Sequence, residues 1–289
     1  MLFIEVLLGF LLLAAVDAAP EYLLYTRRNG STPERVKPEV ESLLRSSFYA
    51  LEPIVVYIPR TSGDSAVHVN LVAALLDREP CNVFAVHPDK EHSQSEIVDS
   101  VSGLLIMLHR QFDVPLKQKQ MVGFGAGAHV AGAVADLVRR QLGDPLPHIT
   151  ALDPALVIDA LEHRLSAQDA VHVEVIHTNG QGLGTMARLG DVDYYPNGGQ
   201  QQPGCHEAAD PDSCSHERAL ELAAEMWSPV NKLLCAKCMS EEQLDARSCR
   251  WTLHRMGEGG ATSDAPGIYY LETQSSAPFG KGAFHISFL

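Results

Sequence analysis

A glycine-rich turn between a predicted strand and a predicted helix is the place where this chain could present a nucleophile. Residues 121–136, MVGFGAGAHVAGAVAD, run from an apolar strand end through a tight turn into a helix of small residues. This is the layout of a nucleophile elbow, in which G-x-S-x-G exposes a serine hydroxyl. The central position here is Gly125, and glycine has no side chain that could attack a carbonyl.

Two further residues follow in the order that completes such a site. Asp153 ends a predicted strand and His216 lies at the start of a predicted helix, so the chain order is nucleophile position, acid, histidine. Asp-Pro is common in turns and a single histidine is usually structural, so neither residue is informative alone. Together with the elbow, they indicate a hydrolase-like site whose acid and base have no hydroxyl to activate.

The elements that must position these residues alternate between strand and helix. Short apolar, β-branched runs predict strands, and apolar residues spaced three and four apart predict helices. In chain order the predicted elements are strand 54–58, helix 67–76, strand 82–86, helix 95–112, the elbow strand, helix 128–141, strand 148–152, strand 171–177, a loop over 179–204 and helix 215–227.

This alternation favours an α/β sandwich with a mostly parallel central sheet flanked by helices. The chain order of nucleophile position, acid and histidine is the order found in the α/β-hydrolase fold. Ligands of such sheets bind beyond the carboxyl ends of the strands, where the elbow, Asp153 and His216 would meet. The β-like runs at 267–273 and 283–288 predict an edge hairpin. The length leaves no room for a further β-sandwich domain, so we expect a single domain over residues 20–289.

Residues 1–19 predict a secretory signal, because an apolar run is followed by small residues and a cleavage position near Ala18 or Ala19. A membrane anchor or a buried first helix is the alternative. The run is shorter than the roughly 20 residues that a span needs, and Pro20 follows at once. No later stretch predicts a membrane span, so we expect an extracellular protein.

Charge and composition limit the classes of molecule that this protein is expected to bind. The formal net charge is −14, which opposes binding to nucleic acid and to anionic membrane surfaces. Asn29 begins an Asn-Gly-Ser glycosylation sequon in a predicted exposed turn. We expect no cofactor.

Six cysteines fit the oxidising setting that a secretory signal implies. Cys205 and Cys214 flank one short polar loop, and Cys238 and Cys249 flank another, so local pairing of each is our first expectation. Cys81 and Cys235 would then be either bridged or free.

A zinc site is the alternative for the later cysteines. The ligand set would be Cys235, Cys238, Cys249 and His254, but its spacing is irregular for a zinc finger and secreted thiols oxidise. With that set aside, no metal site is expected.

Long motifs carry a resemblance to a known family. The segment GFGAGAHVAG (123–132) is similar to the GHSLGAHVAG elbow of the pancreatic-lipase family, ITALDPA (149–155) to its acid segment and CSHERA (214–219) to its histidine segment. Insect-type members also share YLLYTRRNG, VIHTNGQGLG, DYYPNGGQQQPGC, GIYYLET and PFGKG. The resemblance covers essentially the whole chain after residue 19.

The resemblance implies roles for individual residues. Asp153 and His216 match the acid and base of the triad, and Gly125 stands where the catalytic serine is expected. The oxyanion-hole positions fall on Arg60 and Ala126. The family's His-Gly-aromatic sequence after the preceding strand is Ile58-Pro59-Arg60 here, so that part of the site departs from the pattern too.

Two other departures accompany these. The residue before the nucleophile position is Phe124, where the family usually has histidine, and Val-His-Pro over 86–88 replaces the frequent Val-Asp-Trp. The lid position between Cys205 and Cys214 holds only the acidic sequence HEAADPDS, which is typical of phospholipase-type members or of members that do not act at an interface. Its simpler interpretation is a disulfide-closed surface loop.

The function that the resemblance implies is a secreted, catalytically inactive lipase homologue. It would serve as a storage, carrier or lipid-binding protein, as the lipase-like yolk proteins of some insects do, with a lipid or a lipid-linked small molecule as its ligand. The alternative is an active carboxylic-ester hydrolase, a triacylglycerol lipase or phospholipase A1, that uses another nucleophile such as Ser93, Ser95 or Ser215.

Overall fold

The structure is a computed structural model that describes residues 20–29, 32–60, 66–87, 92–156, 163–258 and 266–283. The predicted signal over 1–19 and the last predicted β-run lie outside these ranges. The strands are β1 (Glu21–Tyr25), β2 (Glu34–Val36), β3 (Ile54–Ile58), β4 (Asn82–His87), β5 (Lys119–Phe124), β6 (Leu146–Leu152), β7 (Ala170–Ile176), β8 (Val192–Pro196), β9 (Leu234–Cys238), β10 (Arg250–Arg255) and β11 (Gly267–Leu271). The α-helices are α1 (Val40–Leu44), α2 (Ala66–Arg78), α3 (Gln94–Gln111), α4 (Ala126–Leu142), α5 (Pro211–Met226) and α6 (Glu241–Asp245).

The described strands form one sheet in the order β10-β9-β11-β8-β7-β6-β5-β3-β4-β1-β2. The central run from β11 to β4 is parallel throughout, whereas β9 and β10 at one edge and β1 and β2 at the other pair in antiparallel fashion. Parallel strands need crossover connections, which α2, α3 and α4 supply. The mostly parallel sheet with flanking helices confirms the predicted α/β-hydrolase fold.

Both faces of the parallel strands are buried, which explains why these strands are continuous apolar runs in the sequence. One face packs against α3 and α4, and its strand residues include Val56, Met121 and Ile149. The opposite face packs against α2 and α5 through residues such as Val55 and Leu152. The alternation of side chains along each strand divides the core in this way.

Helix α5 starts earlier than the sequence pattern predicts. It begins at Pro211 with Asp210 as its N-cap, whose carboxylate accepts the N–H of Ser213 at 3.1 Å, so His216 lies further into the helix and not at its start. An Asp-Pro pair supplies both a capping carboxylate and a residue that needs no hydrogen-bond acceptor at the first turn. The cap therefore moves His216 into the second turn, where its direction is fixed by the helix.

Two expectations about strands were wrong. The predicted loop over 179–204 contains β8, whose five residues are all buried in the sheet. The run at 267–273 does not form an edge hairpin, because β11 lies inside the sheet, parallel to β8 and antiparallel to β9. Tyrosine-rich strands among glycines and prolines lack the aliphatic pattern of a buried strand, and for that reason the sequence did not reveal either pairing.

Four of the cysteines form the two local disulfides that were predicted. Disulfides join Cys205 to Cys214 and Cys238 to Cys249. The zinc alternative is therefore wrong, because two of its four ligands are consumed in a disulfide. Cys81 and Cys235 are buried thiols. No helix in the described ranges is both long enough and apolar enough to cross a membrane.

Asn29 closes the turn after β1. Its side-chain amide donates to the carbonyl of Leu24 at 2.8 Å, and its amide oxygen accepts the N–H of Thr26 at 2.9 Å. Glycosylation at Asn29 stays a prediction.

Close contact between α4 and β3 gives a first testable prediction. A Cβ on Gly127 would lie 2.2 Å from the carbonyl oxygen of Ile58, whereas a Cβ on Gly103 of α3 would meet no atom within 4 Å. We expect Gly127→Ala to lower the free energy of unfolding by at least about 1–3 kcal/mol, because α4 must move off the sheet. Gly103→Ala should raise it by about 0.5–1 kcal/mol. Urea unfolding of both variants measures this, and equal effects of the two substitutions would contradict the packing described here.

Candidate active site

Gly125 forms the turn between β5 and α4. Its φ and ψ angles are +58° and −120°, a conformation that glycine adopts without steric cost and other residues rarely do. The turn is also anchored to the next strand. The N–H of Gly125 donates to the carbonyl of Leu152 at 2.9 Å, and its carbonyl accepts the N–H of Ala155 at 3.1 Å. The backbone at this position is therefore fixed relative to the end of β6.

Asp153 is the first residue after β6, at the same edge of the sheet. It has a positive φ of 39°, and its Oδ1 accepts the backbone N–H groups of Thr178 at 2.7 Å and Asn179 at 3.0 Å. A Cβ on Gly184 would lie 2.5 Å from both carboxylate oxygens, so only glycine fits over this carboxylate. Asp153 is fully buried, and these contacts hold its side chain in one orientation.

His216 faces Asp153 from α5. Its Nδ1 donates to Oδ2 of Asp153 at 2.5 Å, and both side chains are completely buried. The imidazole packs on the ring of Phe124 with a centroid distance of 4.4 Å. With Nδ1 committed to the carboxylate, Nε2 is left as the other polar atom of the ring. Within the described part of the chain, this Nε2 has no hydrogen-bond partner.

The unpartnered Nε2 is directed at Gly125. A Cβ on Gly125 would lie 3.1 Å from Nε2, so a hydroxyl on that carbon would fall within hydrogen-bond reach. The arrangement has the geometry of a histidine–carboxylate pair set to activate a nucleophile, but the glycine provides none.

The two predicted oxyanion-hole positions also lie at the turn. Ala126 is the first residue of the seventeen-residue α4, where backbone N–H groups have no intrahelical acceptor. Arg60 follows β3, and its Cδ would lie 3.1 Å from a Cβ on Gly125, so its side chain covers the turn. The Arg60 charge also contributes to lowering the pKa of Asp210, behind the larger effect of the N–H of Ser213. The roles of Arg60 and Ala126 in an oxyanion hole stay predictions.

The structure thus brings Gly125, Asp153, His216, Arg60 and Ala126 together at the carboxyl ends of β3, β5 and β6. Apart from the neighbours Gly125 and Ala126, these residues come from separate segments of the chain, as the crossover topology requires. Beyond the chain order of a triad, no sequence spacing dictated that they would converge.

Other contributors were not identified from the sequence. The backbone donors of Thr178 and Asn179 leave no trace in residue type, although Gly184 beside them signals a close approach. His129 on α4 is a further buried side chain, which accepts the N–H of Leu165 at 3.2 Å and donates to the carbonyl of Ala155 at 3.0 Å. Burial lowers the pKa of His129, so it serves as a neutral bridge that holds the segment after Asp153.

Comparison with known proteins identifies the family of the chain. A family model described as "Lipase" matches residues 14–279. The chain belongs to the lipase family.

The relatives of this lipase-family chain include a vitellogenin, a phospholipase A1 and a lipoprotein lipase. The chain is 34% identical over 189 residues to Vitellogenin-2 of Ceratitis capitata, which covers 64% of this chain and 44% of that protein. It is 30% identical over 302 residues to Phospholipase A1 member A of Rattus norvegicus, covering 93% and 64% of the two chains. Lipoprotein lipase of Homo sapiens is 32% identical over 212 residues, covering 62% and 44%. The chain therefore matches less than two thirds of the length of these three relatives.

The buried carboxylate gives a second prediction. We expect Asp153→Ala to lower the free energy of unfolding by about 3–5 kcal/mol, because it leaves His216 and two backbone N–H groups without their acceptor in the interior. Asp153→Asn should cost less, because its amide oxygen still accepts a hydrogen bond. Denaturant unfolding measures both, with the exposed Asp144→Ala expected within about 0.5 kcal/mol of the native chain. Equal losses of unfolding free energy in Asp153→Ala and Asp144→Ala would contradict the structural importance of Asp153.

Proposed function

We propose that this lipase-family protein is a secreted carrier or storage protein that binds a lipid or a lipid-linked small molecule without hydrolysing it. The observation that carries the proposal is the unpartnered Nε2 of His216, which faces the bare Cα of Gly125. A base without a nucleophile has nothing to activate, and loss of the nucleophile in a well-studied serine protease costs about 10⁶ in rate.

The three serines predicted as alternative nucleophiles do not offer a hydroxyl to Nε2 of His216. Ser215 is completely buried, and its Oγ accepts the N–H of Gln202 at 3.2 Å. Ser93 caps α3 and hydrogen-bonds Glu96, and Ser95 belongs to the first turn of the same exposed helix end. This supports a silent site in preference to a relocated nucleophile.

The surroundings of Gly125 support the same proposal. The Arg60 side chain covers the turn at the place where an acyl group would approach a nucleophile. Phe124 gives the imidazole an apolar neighbour in place of a second polar ring. These changes add to the missing hydroxyl, as expected of a site released from selection for chemistry.

A carrier or storage role outside the cell draws on two further observations. The two disulfides are typical of proteins that fold in an oxidising compartment. One of the relatives bears the name vitellogenin, and we extend that type of role to this chain as part of the proposal. The relatives named phospholipase A1 and lipoprotein lipase represent the competing activity, ester hydrolysis.

Restoring a serine tests whether the turn has been relieved of strain. We expect Gly125→Ser to lower the free energy of unfolding by about 1–3 kcal/mol, because a side chain at φ +58° is strained and its Cβ crowds Arg60. Gly125→Ala should lose more than Gly125→Ser, since only the hydroxyl can hydrogen-bond Nε2 of His216. Thermal unfolding of the three chains measures this. A melting temperature for Gly125→Ser equal to or above that of the native chain would contradict the prediction.

The function itself is tested with a fluorescent phosphatidylcholine that carries its label on an acyl chain. We expect the purified protein to bind this probe saturably and to release no labelled fatty acid beyond the rate seen with His216→Gln. Arg60→Ala should shift the dissociation constant, whereas Arg45→Ala, an exposed arginine paired with Glu41 on α1, should leave it unchanged. Release of fatty acid that depends on His216 would overturn the proposal in favour of a hydrolase, and absence of saturable binding would overturn the carrier role.

A further inference from the structure

Three side chains of the kinds that bind metal ions lie together on the interior strands β6 and β7. In the parallel pairing, His148 stands opposite His172, and Thr150 stands opposite Glu174. Residues two apart on a strand point to the same face, so all four side chains share one face of the sheet. This is the face that packs against α2 and α5, but near the starts of the strands and not at their carboxyl ends.

The ligating atoms of the three side chains are close together. Nε2 of His148 lies 3.2 Å from Oε1 of Glu174, and the two imidazole centroids are 5.1 Å apart. One ligand atom from each of His148, His172 and Glu174 can be chosen so that all lie within 4.8 Å of one another. The Nε2 of His148 is inaccessible to solvent and makes no hydrogen bond, even though it is close to the carboxylate.

Two imidazoles and one carboxylate are a ligand set that proteins use for zinc, with metal–ligand distances of about 2.0–2.2 Å. Ligands at those distances around a tetrahedral ion are roughly 3.4 Å apart. Small rotations of side chains whose ligating atoms already lie within 4.8 Å would reach this geometry.

A fourth residue supports the carboxylate. The Thr150 hydroxyl donates to Oε1 of Glu174 at 2.8 Å, and it comes from the strand that bears His148. Metal-ligating side chains are typically held by such outer hydrogen bonds, which fix their orientation. One of the three side chains, His148, also lines part of a surface cleft of about 260 Å³.

We propose that His148, His172 and Glu174 bind one zinc ion that cross-links β6 to β7. From His148 to Asp153 there are five residues of extended chain, about 16 Å, so this site is separate from the candidate active site. It is independent of the proposed lipid-binding function. Its effect would be to stabilise the central sheet, because an ion that binds only the folded chain shifts the unfolding equilibrium.

The experiment uses residues 20–289, from which metal is removed with a chelator before zinc chloride is added. We expect one zinc ion per chain after gel filtration, measured by elemental mass spectrometry, and a higher melting temperature with zinc than without it. Cobalt(II) in place of zinc should give the visible absorption of a tetrahedral site. Thr150→Val should weaken zinc binding by about 10–100-fold.

His172→Gln should abolish zinc retention, whereas His206→Gln, which removes a surface histidine that is 70% exposed, should leave it at one ion per chain. If His172→Gln does not fold, Glu174→Gln replaces it, and circular dichroism reports folding in each case. The proposal is overturned if the native chain retains no zinc, or if a folded His172→Gln or Glu174→Gln variant retains as much as the native chain does.

Discussion

A single buried carboxylate joins three parts of the molecule. Asp153 ends β6, accepts two backbone N–H groups from the segment after β7 and accepts Nδ1–H of His216 from α5. An ionised carboxylate in the interior is tolerated only when its oxygens are fully hydrogen-bonded, so each of these donors has to be in place. The turn at Gly125 is tied to the same strand end through Leu152 and Ala155.

This constraint accounts for the survival of an acid and a base in a site that we propose to be silent. Asp153 and His216 hydrogen-bond each other in a region without solvent. Removal of either one therefore lowers the stability of the fold, whether or not the site is catalytic. Gly125 is different, since the atoms nearest to an added side chain would belong to His216 and the flexible Arg60. A nucleophile can thus be lost without damage to the interior, whereas the rest of the triad cannot.

Much of this arrangement followed from residue types along the chain. The order of the elbow, Asp153 and His216, together with alternating strands and helices, predicted the fold and the meeting of these three positions at one edge of the sheet, whereas Arg60 was predicted from the family resemblance. The Asp210-Pro211 pair that starts α5 is a capping signal. Strand β8 was predicted as a loop, and the predicted strand at β11 was given the wrong pairing, because their tyrosines do not form an aliphatic run. Contacts made by backbone groups, such as those of Thr178, have no signature in residue type.

The cluster of His148, His172 and Glu174 on β6 and β7 was not predicted from the sequence, for a different reason. His172 and Glu174 alternate along a predicted strand, but His148 is 24 residues earlier, and only the register of two parallel strands makes them neighbours. Ligands that come from one short segment can be recognised from spacing, whereas ligands on separate strands depend on the sheet order.

The central claim is that no hydroxyl of the native chain is activated by His216, and covalent labelling tests it most directly. The native protein is incubated with excess fluorophosphonate, a reagent that traps serines activated by a neighbouring base, and its intact mass is measured beside that of Gly125→Ser. We predict an unchanged mass for the native chain and one adduct on Gly125→Ser. A stoichiometric adduct on the native chain that disappears in His216→Gln would contradict it.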